Sequence, residues 1–354
     1  MADFSYPIID DIGSLPLPDY VTPARFKNLY WDAYKAITSG IDFKELMGNR
    51  GIKSNIILPI LDSFKLKLDC GLEIPSYSRH WDMHTPFLNP IEKYSKDPFL
   101  IEREKAKIIE VEIIRTFAKE LYKSTGKKTK CRIPVTGALE LYLRVKGHTV
   151  YKDIALNFAR SVNRFIKNSM FNEKYFETPL ISIDEPSIGI ITYNQISDDD
   201  ITDILEVESS GINAEIQIHL HSLTKSSVVL KSQNIDILTC EYASNTSQKI
   251  PKKRLEEVDK FIRVGVTRTN ISNIIADKIE KGEDPKKFET TEGLISIIDS
   301  KARIQKRYKE AVNHYGGRLK FVGPDCGVIG WQNHDVVRVL FKRTVEAIKE
   351  IREV

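Results

Sequence analysis

The sequence predicts an α/β protein, a (β/α)8 (TIM) barrel with extra helices at its N-terminal end, on three observations. Short apolar β-type runs alternate with amphipathic helical patterns along most of the 354 residues, which implies βαβ units and parallel pairing. That length lies within reach of one large barrel. Polar, acidic and sulfur-bearing residues gather where the apolar runs stop, at the strand ends where such barrels keep their chemistry. An open doubly wound sheet is the alternative, made less favourable because no glycine-rich G-x-G-x-x-G turn occurs.

The first 130 residues are the most helical and irregular. "FKNLYWDAYKAI" (26–37) and "EREKAKIIEVEIIRTFAKELYK" (102–123) carry apolar stripes at helical spacing. They are expected to supply early barrel units plus extra helices. Strand candidates follow at 132–137, 180–186, 214–221, 235–242, 261–267 and 319–325. Helical patterns fall between and after them, at 152–170, 200–209, 253–261, 294–315 and 333–354. We read 1–354 as one catalytic barrel, with 1–130 its helical extension and early units and 131–354 its remaining strands and candidate site.

Composition narrows the function classes. Hydrophobic residues at 41% and charged residues at 29% suit a chain that buries a sizeable core. A net charge of +4 demands no nucleic-acid partner, and the basic "KSTGKKTKCR" (123–132) reads as a solvated loop. No stretch approaches the roughly 20 apolar residues that span a bilayer, and the N-terminus lacks a secretory layout. Cys70, Cys131, Cys240 and Cys326 are widely spaced, which argues for a reducing, cytoplasmic setting rather than a disulfide scaffold.

One strand candidate stands apart. In "GINAEIQIHLHSLT" (211–224), Ile216, Ile218 and Leu220 share one face, and His219 and His221 share the other. Alone, an H-x-H step is more often a pair of ordinary strand-end histidines. The next strand ends at Glu241 and the last at Cys326. Each also has a bland reading: a solvated or capping carboxylate, and a small buried hydrophobe. Asp184–Glu185 before Pro186 could equally cap the following helix. Taken together, two imidazoles, a carboxylate and a thiolate at one barrel mouth make a zinc set.

These residues resemble the zinc-binding catalytic barrel of the cobalamin-independent methionine synthases, in family order and over nearly the whole chain. "DIGSLP" (11–16) is similar to I-G-S-F-P, "RIPVTGALEL" (132–141) to the T-G-P-V-T strand, and "IDEPS" (183–187) to I-D-E-P-A. "IHLHS" (218–222) aligns with H-x-C-x-S, "CEYAS" (240–244) with the E-x-S/A-R strand end, and "GPDCGVIGW" (323–331) with P-D-C-G-L. "GLEIPSYSRHWDM" (71–83) is similar to a segment of the short archaeal-type members.

The resemblance implies zinc held by His219, Glu241 and Cys326, with His221 where the family has a second cysteine. Histidine is a competent ligand, but one thiolate and one carboxylate leave the zinc formally neutral, whereas the family set is anionic. Cys240 is a fallback ligand, though it points to the opposite strand face. The resemblance further implies that Ile12, Gly13, Ser14 and Asp184 hold the amino-acid part of homocysteine, Asp184 taking the ammonium. Asn270 stands where full-length members have a histidine that protonates the folate leaving group, and the extra N-terminal half of those members is missing.

The implied activity is therefore zinc-dependent methylation of homocysteine to methionine, with a methylated corrinoid protein as donor rather than methyltetrahydrofolate, and no catalytic residue beyond the metal site. Two alternatives stay open. One is a corrinoid-linked transferase acting on another small thiol such as coenzyme M. The other is a non-catalytic barrel serving as a binding subunit. The role of the 70–100 segment, with His80, Trp81 and His84, is open too.

Overall fold

The computed structural model describes residues 6–353. Seven strands form one all-parallel, curled sheet: β1 (Ile8–Ile9), β2 (Thr129–Thr136), β3 (Phe176–Asp184), β4 (Glu215–His219), β5 (Ile237–Cys240), β6 (Phe261–Thr267) and β7 (Leu319–Pro324). Their spatial order is β1-β7-β6-β5-β4-β3-β2. The six strands expected from the sequence are all present, and β1 adds a short seventh. Register sets Asp184 of β3 directly beside His219 of β4, at the carboxyl end of both strands.

Where the eighth strand was expected, the structure has an irregular segment between the two edges of the sheet. Ile74 and Arg79 bridge to Asp10 and Ser14 on one side, and Ser76 bridges to Arg132 on the other, all in parallel sense. Arg79 N donates to Gly13 O at 3.2 Å and Leu15 N to Arg79 O at 3.0 Å, while Arg132 N donates to Pro75 O at 2.9 Å. Pro75 has no N–H to offer a ladder, which is one reason the pairing stays discontinuous.

The strands' apolar residues meet a ring of helices. Helix Lys152–Asn168 buries Phe158, Val162, Phe165 and Ile166, and helix His334–Arg352 buries Val336, Val337, Leu340 and Phe341. The expected helix over 294–315 is split into Thr291–Ile297 and Lys301–Tyr315. Between them Asp299 turns into the protein and Ser300 caps the second helix. Among the described residues no helix is long and apolar enough to cross a membrane.

The concave side of the sheet is polar. Ile216 and Ile218 of β4 alternate with Gln217 and His219, and both sets are buried. Gln217 reaches across to Asp10, 3.3 Å from its Nε2, and Arg263 of β6 donates from Nε to the other Asp10 oxygen at 2.6 Å. Arg132 of β2 donates to Ser182 of β3 at 2.7 Å. Nearby, Lys67 sits 2.8 Å from Asp11 and also donates to Ser76. Charges this deep persist only when paired and hydrogen-bonded, so this network forms a stiff floor beneath the strand ends.

Candidate metal centre

His219 is the last residue of β4 and His221 follows in the loop, so the two-residue repeat of the strand points both rings the same way. Glu241 follows β5 directly, and Cys326 lies two residues beyond β7. One donor atom from each of His219, His221, Glu241 and Cys326 falls within 4.8 Å of all the others. Cys326 Sγ is 3.5 Å from His219 Nε2 and 3.8 Å from His221 Nε2, and His221 Nε2 is 3.4 Å from Glu241 Oε1. Ligand atoms at zinc–N, zinc–O and zinc–S bond lengths in a tetrahedron stand about 3.3–3.8 Å apart.

The electrostatics fit a cation as well. Burial, then His221 and the nearby arginines, hold His219 well below the usual histidine range, and burial also lowers His221, so both rings are neutral and offer lone pairs. Burial and the Asp325 charge push the Glu241 carboxyl up to about 7. Burial and Glu241 push the Cys326 thiol far above its ordinary value. Two would-be anions penalised in one place are a setting that a divalent ion would stabilise. His219 Nδ1 is buried and finds no partner among the described residues, whereas ligating imidazoles usually donate their second N–H.

Loop contacts fix the cluster. Asp325 accepts from Ala243 N at 2.9 Å and from Ser244 N and Oγ at 2.7 Å, tying the Glu241 loop to the Cys326 loop. Cys326 N donates to Thr269 Oγ1 at 3.1 Å, and Gln248 donates to the His221 carbonyl at 3.0 Å. A side chain at Gly327 would strike Ser14, so the loop after β7 can lie flat against the 12–14 turn only with glycine there.

Cys240 is fully buried, its Sγ 3.9 Å from the Arg263 carbonyl, and is not in the cluster. Asn270 is an exposed cap whose Oδ1 accepts from Asn273 N, at the start of helix Ile271–Glu280. Glu185 caps not the following helix but the preceding one, Ala138–Lys146, accepting from Leu139 N and Glu140 N.

A cavity of about 230 Å³ opens beside the cluster, lined by Ile12, Ser14, Asp184, His219, His221 and Cys326 among others. Gly13 lies behind it, its carbonyl taken by Lys67 and Arg79 N. From the 70–100 segment, Arg79, Trp81, Asp82 and Met83 also line it. His80 faces a neighbouring cavity and donates from Nδ1 to Leu15 O at 2.9 Å, while His84 pairs with Glu140 at 2.8 Å. Arg79 was not singled out by sequence reasoning. Its signal lies only in the fold, where its Nη2 donates to Asp184 Oδ2 at 2.5 Å.

With this geometry the chain's fold is that of proteins described as B12-independent methionine synthases, over almost its whole length. Among solved structures it is similar to a B12-independent methionine synthase from Shewanella sp. W3-18-1 in complex with selenomethionine, with a TM-score of 0.64 and 16% identity, covering 99% of this chain and 98% of that one. A Listeria monocytogenes protein put forward as a vitamin-B12-independent methionine synthase matches with a TM-score of 0.53 and 13% identity, covering 98% and 99% of the two chains. A methyltransferase from Methanosarcina mazei matches with a TM-score of 0.53 and 12% identity, covering 98% and 94%. No protein-family model matches the sequence, and neither does any curated protein. At these identities the likeness establishes the fold.

Proposed function

We propose that the protein is a zinc-dependent S-methyltransferase of the methionine synthase type, a single catalytic (β/α)8 barrel over 1–354 in which 74–79 serves as the eighth stave. The observation that carries this is the convergence of His219, His221, Glu241 and Cys326 beside a small cavity, on a fold shared with methionine synthase and methyltransferase structures. The four side chains would hold the ion, which supplies a Lewis acid that keeps a bound thiol deprotonated at neutral pH.

The remaining work falls to the chain. The cavity walls orient a small thiol such as homocysteine with its sulfur toward the cluster, and Trp81 and the 12–14 turn exclude water around it. The thiolate sulfur then forms a bond to the methyl carbon while the bond from that carbon to its leaving group breaks, the electron pair going to the leaving group. Asn270 is a surface cap outside the cavity and supplies no acid. A methylated corrinoid protein suits this arrangement better than methyltetrahydrofolate, because a cobalt(I) leaving group needs no proton. A cytoplasmic location follows from the reduced thiol the site requires.

Metal content of the purified protein tests the reading. About one zinc per chain, lost in Cys326→Ala, is expected for a four-ligand site. A folded protein that carries none and cannot be loaded sinks it in favour of a non-catalytic barrel.

A further inference from the structure

We propose that Arg79 is the specificity residue of this site and that the acceptor is a small thiol gripped by an anionic end, a carboxylate or sulfonate, rather than by an ammonium. This rests on the S-methyltransferase reading for the role of the sulfur.

The resemblance assigns Asp184 to the ammonium of the acceptor. In this chain that carboxylate is already engaged: Oδ2 takes Arg79 Nη2 at 2.5 Å and Oδ1 takes Ser182 Oγ at 2.9 Å. An ammonium arriving there meets a neutralised carboxylate with a guanidinium beside it. The pull is small and the neighbouring charge repels.

Arg79 carries the opposite signal. Its side chain is 7% exposed, yet Nε and Nη1 find no hydrogen-bond partner among the described residues. A buried guanidinium with idle donors is costly, and Nε and Nη1, which lie on different edges of the guanidinium, can each donate to one oxygen of an acid group. Backbone bonds to Gly13 and Leu15 on both sides of the residue fix its position.

Arg79 borders the cavity of about 230 Å³ that the metal cluster also borders. An acid group at Arg79 and a sulfur at Cys326 and the histidines therefore occupy one space. That space is below the roughly 300–1,000 Å³ of pockets for drug-sized ligands and suits a short thiol. A second cavity of about 10 Å³, shared by Arg79 with Tyr30, His80 and Glu110, has room for about one water. One water can take one idle donor and leaves the other without an acceptor.

The test is equilibrium binding to the purified protein by calorimetry, with four probes: 3-mercaptopropionate, 2-mercaptoethanesulfonate, 3-aminopropanethiol and sulfur-free butanoate. The acidic thiols should bind about ten- to a hundred-fold more tightly than 3-aminopropanethiol. Arg79→Met should erase that preference, and Arg79→Lys should keep part of it. Equal binding of the amino thiol, or an unchanged preference in Arg79→Met, overturns the proposal. Should Arg79→Met not fold, Arg79→Met/Asp184→Asn removes both charges together and answers the same question.

Butanoate separates the two readings. Butanoate bound by metal-free protein and lost in Arg79→Met keeps the acid site even where zinc loading fails. A zinc-loaded protein that ignores the acid group keeps the metal site and rejects Arg79.

Discussion

Replacing Asp299 with Asn should weaken the fold by about 2 kcal/mol at pH 7. The side chain is fully buried and accepts from Arg268 N and Nε at 3.1 Å, Arg268 Nη2 at 2.9 Å, Arg307 Nη1 at 2.6 Å and Arg303 Nη1 at 3.2 Å. Burial alone would raise this carboxyl, but the hydrogen bonds from Arg268 and Arg307 win and hold it at about 2, against an ordinary 3.8. At 1.36 kcal/mol per pH unit that depression corresponds to about 2 kcal/mol. A depressed carboxyl contributes in full above its unfolded value and loses its contribution as pH falls through the folded one. The difference between wild type and Asp299→Asn should therefore be constant from pH 7 to 5 and about half gone by pH 3. Urea unfolding of both proteins at pH 7, 5, 4 and 3 measures it. A difference below about 1 kcal/mol at pH 7, or one that does not shrink on acidification, would falsify the account. Thermal shifts with added zinc provide a companion readout, since Arg268 adjoins the Thr269 that positions Cys326.

Three further outcomes are expected. Burial pushes Glu110 up to about 7, so its contribution is lost as pH rises through that value; Glu110→Gln should gain about 3 kcal/mol on wild type between pH 5 and 8, read by denaturant midpoints. Gly137→Ala should cost about 1–3 kcal/mol in thermal unfolding, because the added methyl meets the Glu185 side chain, which its bonds to Leu139 N and Glu140 N prevent from swinging away. A neutral result there means Glu185 is mobile. Cys240→Ser should keep its metal by elemental analysis while Cys326→Ser loses it, and loss in both would place the cluster wrongly.

The sequence showed some parts of this molecule well and others hardly at all. The strands from 132 onward were legible because each is an apolar run bounded by helical patterns, and the pleat alone put His219 and His221 together. The burial of Gln217 and His219 was not legible. Alternation reads as one wet face, but a curled sheet encloses that face and fills it with Asp10, Arg132 and Arg263. Segment 74–79 showed no strand pattern, since "IPSYSR" neither alternates nor spares its N–H groups. Arg79 was missed with it, because its meaning comes from Asp184, 105 residues away in sequence. The break in helix 294–315 escaped too: Asp299 disrupts the helix for the sake of three arginines, only two of which lie nearby in the chain.

The pairing of Ile8 with Phe321 constrains the order in which this molecule can be made. β1 is synthesised first, and although Glu73 N and Ile74 N reach the Ile9 carbonyl sooner, its strand partner β7 emerges only about 300 residues later. At 5–20 residues per second that is a wait on the order of 15–60 s. Meanwhile Asp11 meets Lys67 and Ser76 early, whereas Asp10 waits for Gln217 and Arg263. Cys326 leaves the ribosome after β7, so the thiol side of the cluster is the last to arrive. His219, His221 and Glu241 precede Cys326 in the chain, so the four side chains stand together only in a finished fold.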